Sequence, residues 1–213
     1  MHAFIADIHL RPDAGKDAHR FISWISSVRA HAKAVYILGD LFDYWYTGLE
    51  NRFQEVLDAL NSPTIHLLTG NRDFLLRKTR LSDLQILPAE EIRIQVGNAR
   101  LLLAHGHTLT EADLGFRLLH SFGWPALKVL DRVLPLDLKH HLARFLVKSS
   151  ATIRPSSLTI REGIEADKGV ETVICGHLHR YIERPGLIVL PAFFDSGQWL
   201  SWGDSGPRLK TFP

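Results

Sequence analysis

Residues 34–43 read AVYILGDLFD. Five apolar residues run straight into a glycine and an aspartate. The run predicts a strand, Ala34–Leu38, of the fully buried type. The same form recurs along the chain. Phe4-Ile5-Ala6 runs into Asp7-Ile8-His9, and Ile65–Thr69 into Gly70-Asn71-Arg72-Asp73. Leu101–Ala104 runs into His105-Gly106-His107, and Val173-Ile174-Cys175 into Gly176-His177-Leu178-His179. Lys16–Ala32 places Phe21, Ile22, Ile25 and Val28 near a helical period, and Asn51–Leu60 does the same with Phe53, Val56, Leu57 and Leu60. With strands at Ala3–Ile8, Ala34–Leu38 and Thr64–Leu68, the β-α-β-α-β order predicts a largely parallel sheet with helices on both faces. Glu91–Val96 and Ala99–Ala104, joined by Gly97-Asn98, read as a hairpin. Further strands are expected at Val170–Cys175, Arg180–Arg184 and Leu187–Leu190.

Residues 110–166 change character. They are nearly all helical in pattern, with breaks at Gly123-Trp124-Pro125, Pro135 and Pro155. From Leu114 to Arg161, eight Lys/Arg stand against two Asp/Glu, among apolar residues such as Phe116, Leu119, Phe122, Leu127 and Leu130. This predicts an inserted helical cap, basic and apolar together, over a core made of residues 1–109 and 167–213.

Composition removes several classes. The chain has 213 residues, enough to bury a core without staples. One cysteine, Cys175, excludes a disulfide framework and a zinc site of several thiolates. No apolar run reaches the roughly 18 residues of a membrane span. A net charge of +2 is too small to argue a nucleic-acid partner. The opening MHAFIADIHL lacks the basic start and cleavage site of a secretory signal, so a cytoplasmic location is expected. Histidine stands out, with 12 residues.

In an open α/β sheet, ligands bind beyond the carboxyl ends of the parallel strands. Each strand end here carries Asp, Asn or His, and glycines beside four of the five permit sharp turns and close approach. Taken singly, these pieces also read as turns or helix caps, with Asn71 or Asp73 as cap. Two imidazoles spaced as in Gly176-His177-Leu178-His179 have little structural use. Five such ends in one short chain predict a metal site of oxygen and nitrogen ligands. Seven ligands suit two ions, the usual apparatus of phosphoester hydrolysis. The ligand types favour Mn²⁺, Fe or Zn²⁺.

The five blocks resemble the calcineurin-like metallophosphoesterase superfamily, whose pattern is D-x-H, G-D-x-x-D, G-N-x-[DE], H-G and G-H-x-H. They stand here as Asp7/His9, Gly39-Asp40-Leu41-Phe42-Asp43, Gly70-Asn71-Arg72-Asp73, His105-Gly106 and Gly176-His177-Leu178-His179. The resemblance implies an α/β fold of four α-β-β-α layers, with two sheets packed between helices and the helical cap inserted. It implies one ion on Asp7, His9, Asp40 and His179, and a second on Asp40 (bridging), Asn71, His105 and His177. Within the superfamily the chain looks most like the UDP-2,3-diacylglucosamine diphosphatases of lipid A biosynthesis. Gly39–Trp45, Gly70–Leu75, His105–Leu109 and the Leu134-Pro135-Leu136 break carry that likeness. It implies two divalent ions, most simply Mn²⁺, and a small nucleotide-lipid substrate met at the cytoplasmic face of the inner membrane. No nucleic-acid partner follows, and no oligomeric state. Asp40, Asn71, Arg72 and His105 would be catalytic, and Asn71, Arg72, Asp113, Ser150, Arg154 and His177 would touch substrate.

Arg72 stands where many superfamily members carry a proton-donating histidine. An arginine does not give up its proton near neutral pH, but it neutralises charge on a phosphate. A related enzyme acting on another nucleotide pyrophosphate or phosphodiester is the alternative reading. A non-catalytic metal scaffold would predict missing ligands, and all seven are present. Three groups stay open at this stage. His107 reads as a neighbour of the ligands, a substrate contact or a surface residue. Tyr44 and Trp45 either pack the core or line the pocket. Lys139-His140-His141, with Arg144 and Lys148, reads either as a face for anionic lipid head groups or as a solvated helix. Asp43 is expected to orient a ligand rather than bind metal, and Cys175 to be inert packing.

Overall fold

The computed structural model describes residues 1–78, 84–87, 89–110, 123–150 and 159–213. Two sheets lie face to face. The first has strands β1 (His2–Ile5), β2 (Ala34–Leu38), β3 (Ile65–Leu68) and β4 (Gln85–Ile86) in parallel order. The C-terminal hairpin strands Gln198–Gly203 and Gly206–Thr211 add to the β1 edge in antiparallel pairing. The second sheet has five strands. At its centre Ala99–Ala104 pairs in parallel with Thr172–Cys175, and Thr172–Cys175 with Leu187–Val189. Glu91–Val96 joins Ala99–Ala104 as the expected hairpin, and Ile182–Arg184 closes the far edge.

The two-residue period of the strands sorts their side chains into three apolar layers. Ala3, Ile5, Val35, Ile37, Ile65 and Leu67 face helices α1 (Gly15–Arg29) and α2 (Gln54–Leu60). The alternate residues Phe4, Tyr36, Leu38 and Leu68 meet Leu101, Leu103, Ile174 and Ile188 of the second sheet. Leu102, Ala104, Val173 and Cys175 point the other way, onto Ile160 and Ile164, where the short helix Ile164–Lys168 lies. Hence the layers run α-β-β-α. The period-based expectation of one sheet with helices on both faces is corrected here. Strand periodicity says that both faces are buried, but not what buries them.

Two local corrections follow. β1 ends at Ile5 rather than Ile8, because Asp7 and His9 turn into left-handed backbone. The helix expected over Asn51–Leu60 is a 3₁₀ turn, Glu50–Arg52, followed by α2. Phe53 breaks the run at φ −124° and packs on Phe42, with ring centroids 4.4 Å apart. Within residues 123–150 the helices are α3 (Trp124–Val133), with Pro125 in its first turn, and α4 (Leu136–Ser150). No helix among the described residues is long and apolar enough to cross a membrane.

Trp24 anchors the first layer. It is fully buried on α1, with Phe193 at 5.5 Å and Trp199 at 5.8 Å. Trp24→Ala is expected to lower unfolding stability by about 3–5 kcal/mol in urea titration, the cost of a large core truncation. A loss under about 1 kcal/mol would mean that the layer repacks around the gap.

Candidate metal centre and active site

The carboxyl ends of five parallel strands, three from the first sheet and two from the second, meet at one rim. Backbone hydrogen bonds join neighbouring ends. Ile8 and His9 both donate to the Asp40 carbonyl at 3.0 Å, and Gly176 donates to the His105 carbonyl at 2.8 Å. Glycine is required at two of these turns for closeness. A β-carbon on Gly70 would collide with Asp40 Oδ1, and one on Gly176 with Asp7 Oδ2 and Ala6.

Among the described residues, the non-glycine positions with left-handed backbone are Asp7, His9, Asp40, His177 and His179. Each is a residue singled out from sequence as a ligand. Such backbone costs roughly 1–2 kcal/mol per residue and persists where the surroundings over-determine it. The strain turns five side chains back into the cleft.

The side chains converge as two overlapping groups, Asp7/His9/His179 and Asp7/Asp40/His105. His9 Nε2 and His179 Nε2 are 3.1 Å apart, and Asp7 Oδ1 lies 3.4 Å from His179 Nε2. His105 Nδ1 meets the Leu38 carbonyl at 2.9 Å. When that N–H donates, Nε2 keeps its lone pair toward Asn71 Oδ1 at 2.9 Å and Asp40 Oδ2 at 3.5 Å. His177 donates its backbone N–H to Asp7 Oδ2 at 2.8 Å. All seven residues thus gather at one rim, and Asp7 is the member shared by the two groups, with Asp40 in the second.

The donor set fits divalent cations. Asp7 Oδ1 and His177 Nε2 are buried without a hydrogen-bond partner among the described residues, an arrangement that calls for an ion or a ligand. Burial opposes the Asp7 charge, but the adjacent His179 and the surrounding imidazoles outweigh it and hold its carboxyl well below the usual range. Burial, reinforced by His105, pulls His177 down to about 3, and burial also holds His9 well below its ordinary value. Both imidazoles are therefore neutral near pH 7, as metal ligation needs.

Two carboxylates organise the ligands. Asp43 accepts from Arg72 Nη1 at 2.6 Å and lies 3.6 Å from His9 Nδ1, which agrees with an orienting role. Asp73 is wholly buried and accepts from the backbone N–H groups of Gly70 (2.7 Å), Leu41 (2.8 Å) and Phe42 (3.3 Å). Burial and the charge of Asp40 push its carboxyl up to about 7 against those donors. Sequence reasoning gave Asp73 a capping role at most; its place in G-N-x-D was the available signal. Phe194 was missed altogether. It sits edge-on to His9 at 5.4 Å and lines the cleft with Arg11 and Arg72, and no motif marks it.

The remaining expectations separate. His107 is buried, with its ring 5.3 Å from that of His105. Cys175 is buried and its thiol is pushed up by burial, as inert packing requires. Tyr44 and Trp45 do both jobs, since Trp45 packs on Phe42 at 4.6 Å and both line the groove beneath α3 and α4. The Lys139–Lys148 face is corrected in part: His141, Arg144 and Lys148 are exposed, but Lys139 and His140 turn inward. Lys139 donates to the Thr47 carbonyl at 3.0 Å and lies 3.4 Å from Asp131 Oδ1. His140 turns toward the Tyr46 hydroxyl at 3.3 Å. Ser150 ends α4, and Asp113 and Arg154 lie outside the described residues.

Comparison with known proteins agrees with this geometry. The family model described as calcineurin-like phosphoesterase matches residues 3–181. A UDP-2,3-diacylglucosamine hydrolase of Pseudomonas aeruginosa is 32% identical, covering 99% of this chain and 98% of its own. One of Aromatoleum aromaticum is 30% identical, covering 97% and 94%.

Chelation with EDTA is expected to lower the thermal midpoint, and Mn²⁺ to restore it. At one hundred times Kd the ion adds about 2.7 kcal/mol. An unchanged midpoint by calorimetry would count against a metal centre. Asp73→Ala strands three buried N–H groups and is expected to cost about 3 kcal/mol or more in urea titration.

Proposed function

The chain belongs to the calcineurin-like phosphoesterase family, and we propose that it hydrolyses the pyrophosphate of UDP-2,3-diacylglucosamine to UMP and 2,3-diacylglucosamine 1-phosphate. One observation carries the substrate reading. An apolar groove between the cap helices and the core, lined by Phe74, Trp124, Leu127, Leu142 and Leu146, opens beside Asn71 and Arg72. Acyl chains suit such a wall, and a pyrophosphate suits the polar mouth. The groove has a volume of about 130 Å³. The relatives named UDP-2,3-diacylglucosamine hydrolase, which this chain matches over nearly their whole length, support the assignment.

Asp7, His9, Asp40, Asn71, His105, His177 and His179 would hold two divalent ions, with Mn²⁺ the simplest choice and Fe or Zn²⁺ the alternatives. Bound there, such ions supply Lewis-acid charge and a nucleophile usable at neutral pH. The protein's own groups do the rest. Asp43 holds the Arg72 guanidinium over the cleft, 3.9 Å from Asp40. That charge faces the phosphoryl oxygens and stabilises the transition state without transferring a proton. UMP and a sugar phosphate are good leaving groups, so the lack of a histidine at position 72 costs little. Asn71, Arg72, His177, Ser150, Asp113 and Arg154 would contact substrate, with the cap spanning residues 110–166.

The cap also bears on location. Val129, Val133, Leu138 and Phe145 are exposed on its helices beside Lys128 and Arg132. Apolar side chains flanked by cations suit the cytoplasmic face of an anionic membrane, where the lipid substrate resides.

With Mn²⁺, purified protein is expected to release UMP from UDP-2,3-diacylglucosamine. Asp40→Ala is expected to abolish release, and Arg72→Ala to lower kcat about 10²-fold. No release, with brisk cleavage of a water-soluble phosphodiester, would exclude this substrate and favour the broader nucleotide reading. Activity retained in Asp40→Ala would exclude the metal mechanism.

A further inference from the structure

Three concavities meet at Asp43. One is the ligand cleft, with His9, Arg72 and His179. The second is the apolar groove. The third is a basin of about 700 Å³ on the other side of α4, bounded by the Arg11–Asp13 loop, the Tyr44–Arg52 segment and α4 itself. It joins the cleft through Arg11 and Asp43, which line both. Its volume falls in the range of about 300–1,000 Å³ typical of sites that bury small ligands.

The walls of the basin differ from those of the groove. Arg52, Arg144 and Lys148 bring positive charge, and Asp13 and Asp137 bring carboxylates. The rings of Tyr44 and Tyr46 lie 6.1 Å apart and within 6° of parallel. Tyr46 is held by His140, whose ring stands edge-on to Tyr44 at 6.1 Å. An isolated anion would be served by cations alone, and an acyl chain by apolar walls. This mixture suits a ligand with three chemistries: guanidinium forks for phosphate oxygens, carboxylates that accept from ribose hydroxyls, and an aromatic face for a planar base.

We propose that this basin receives the nucleoside end of the substrate, with the pyrophosphate in the ligand cleft beside Arg72 and Arg11 and the lipid end entering the apolar groove. The proposal rests on the pyrophosphate-hydrolase reading above and adds the side on which each half lies. Two ends of opposite chemistry, joined by a pyrophosphate, meet two pockets of opposite chemistry, joined at the ligand cleft. Arg52 and Asp137 are exposed on the basin walls, so their replacement leaves the core intact.

The test uses calorimetry on the full chain loaded with Mn²⁺, with UMP and inorganic phosphate as probes. Arg52→Ala and Asp137→Ala are each expected to weaken UMP about tenfold while phosphate affinity stays within about twofold. For Asp137→Ala, 2′,3′-dideoxy-UMP and UMP should bind alike. UMP binding that neither variant alters, or no UMP binding by the wild type, overturns the proposal. The two readings fail separately. UMP binding lost in the variants, with no hydrolysis of UDP-2,3-diacylglucosamine by the wild type, removes the substrate assignment and upholds a nucleotide basin. Hydrolysis by the wild type with normal UMP binding by both variants removes the basin alone.

Discussion

The buried carboxylate of Asp73 takes three backbone N–H groups from two separate loops, those after β2 and β3. That shared acceptor holds Gly39–Phe42 against Gly70–Asp73, and so holds Asp40 beside Asn71 and His105. Arg72 is placed by the same stapling, since its backbone N–H reaches Asp40 Oδ1 at 2.9 Å. The loop after β1 is zipped to the loop after β2 through the Asp40 carbonyl. A carboxylate so buried is costly unless its hydrogen-bonding capacity is filled. Here the backbone fills it, and the cleft inherits a rigid floor.

Rigidity matters because the cleft concentrates unfavourable features. Five non-glycine residues adopt left-handed backbone, two imidazoles approach nitrogen to nitrogen, and acidic groups crowd a buried space. Without cations these features oppose one another. Divalent ions held there would offset the conflict by supplying positive charge among these donors, and their binding energy would stabilise the fold. The centre and the surrounding layers are therefore one energetic unit.

Helices α3 and α4 meet the sheets and their loops through contacts of another kind. Thr47 donates its backbone N–H and its hydroxyl to Asp131 at 2.9 and 2.7 Å, and Lys139 completes the buried cluster. Phe74 stacks on Trp124 at 4.2 Å. These contacts set α3 and α4 over the core so that an apolar groove opens on one side and a polar basin on the other. A helix that shows opposite chemistry on its two flanks divides the space above the ligands. That division distinguishes two ends of a substrate where the ligand cleft alone does not.

Much of this was legible in the chain. Apolar runs ending in glycine and a ligand-type residue marked the strand ends, because buried strands need apolar runs and metal sites need oxygen and nitrogen donors. Phe4 and Ile5 show where legibility stopped. Both read as buried, yet one faces the second sheet and the other faces the helices. Lys139 read as surface and lies inside, because Asp131 and Thr47 approach it from distant segments. Phe194 carries no motif and reaches His9 only through folding. The sequence by itself determined which residues stand at the strand ends and what chemistry they carry, since periodicity and residue type are local properties. Only the tertiary structure decided that the sheets stack, that Asp7 joins both ligand groups, and that α4 separates two pockets. Those outcomes depend on through-space packing between segments far apart in the chain.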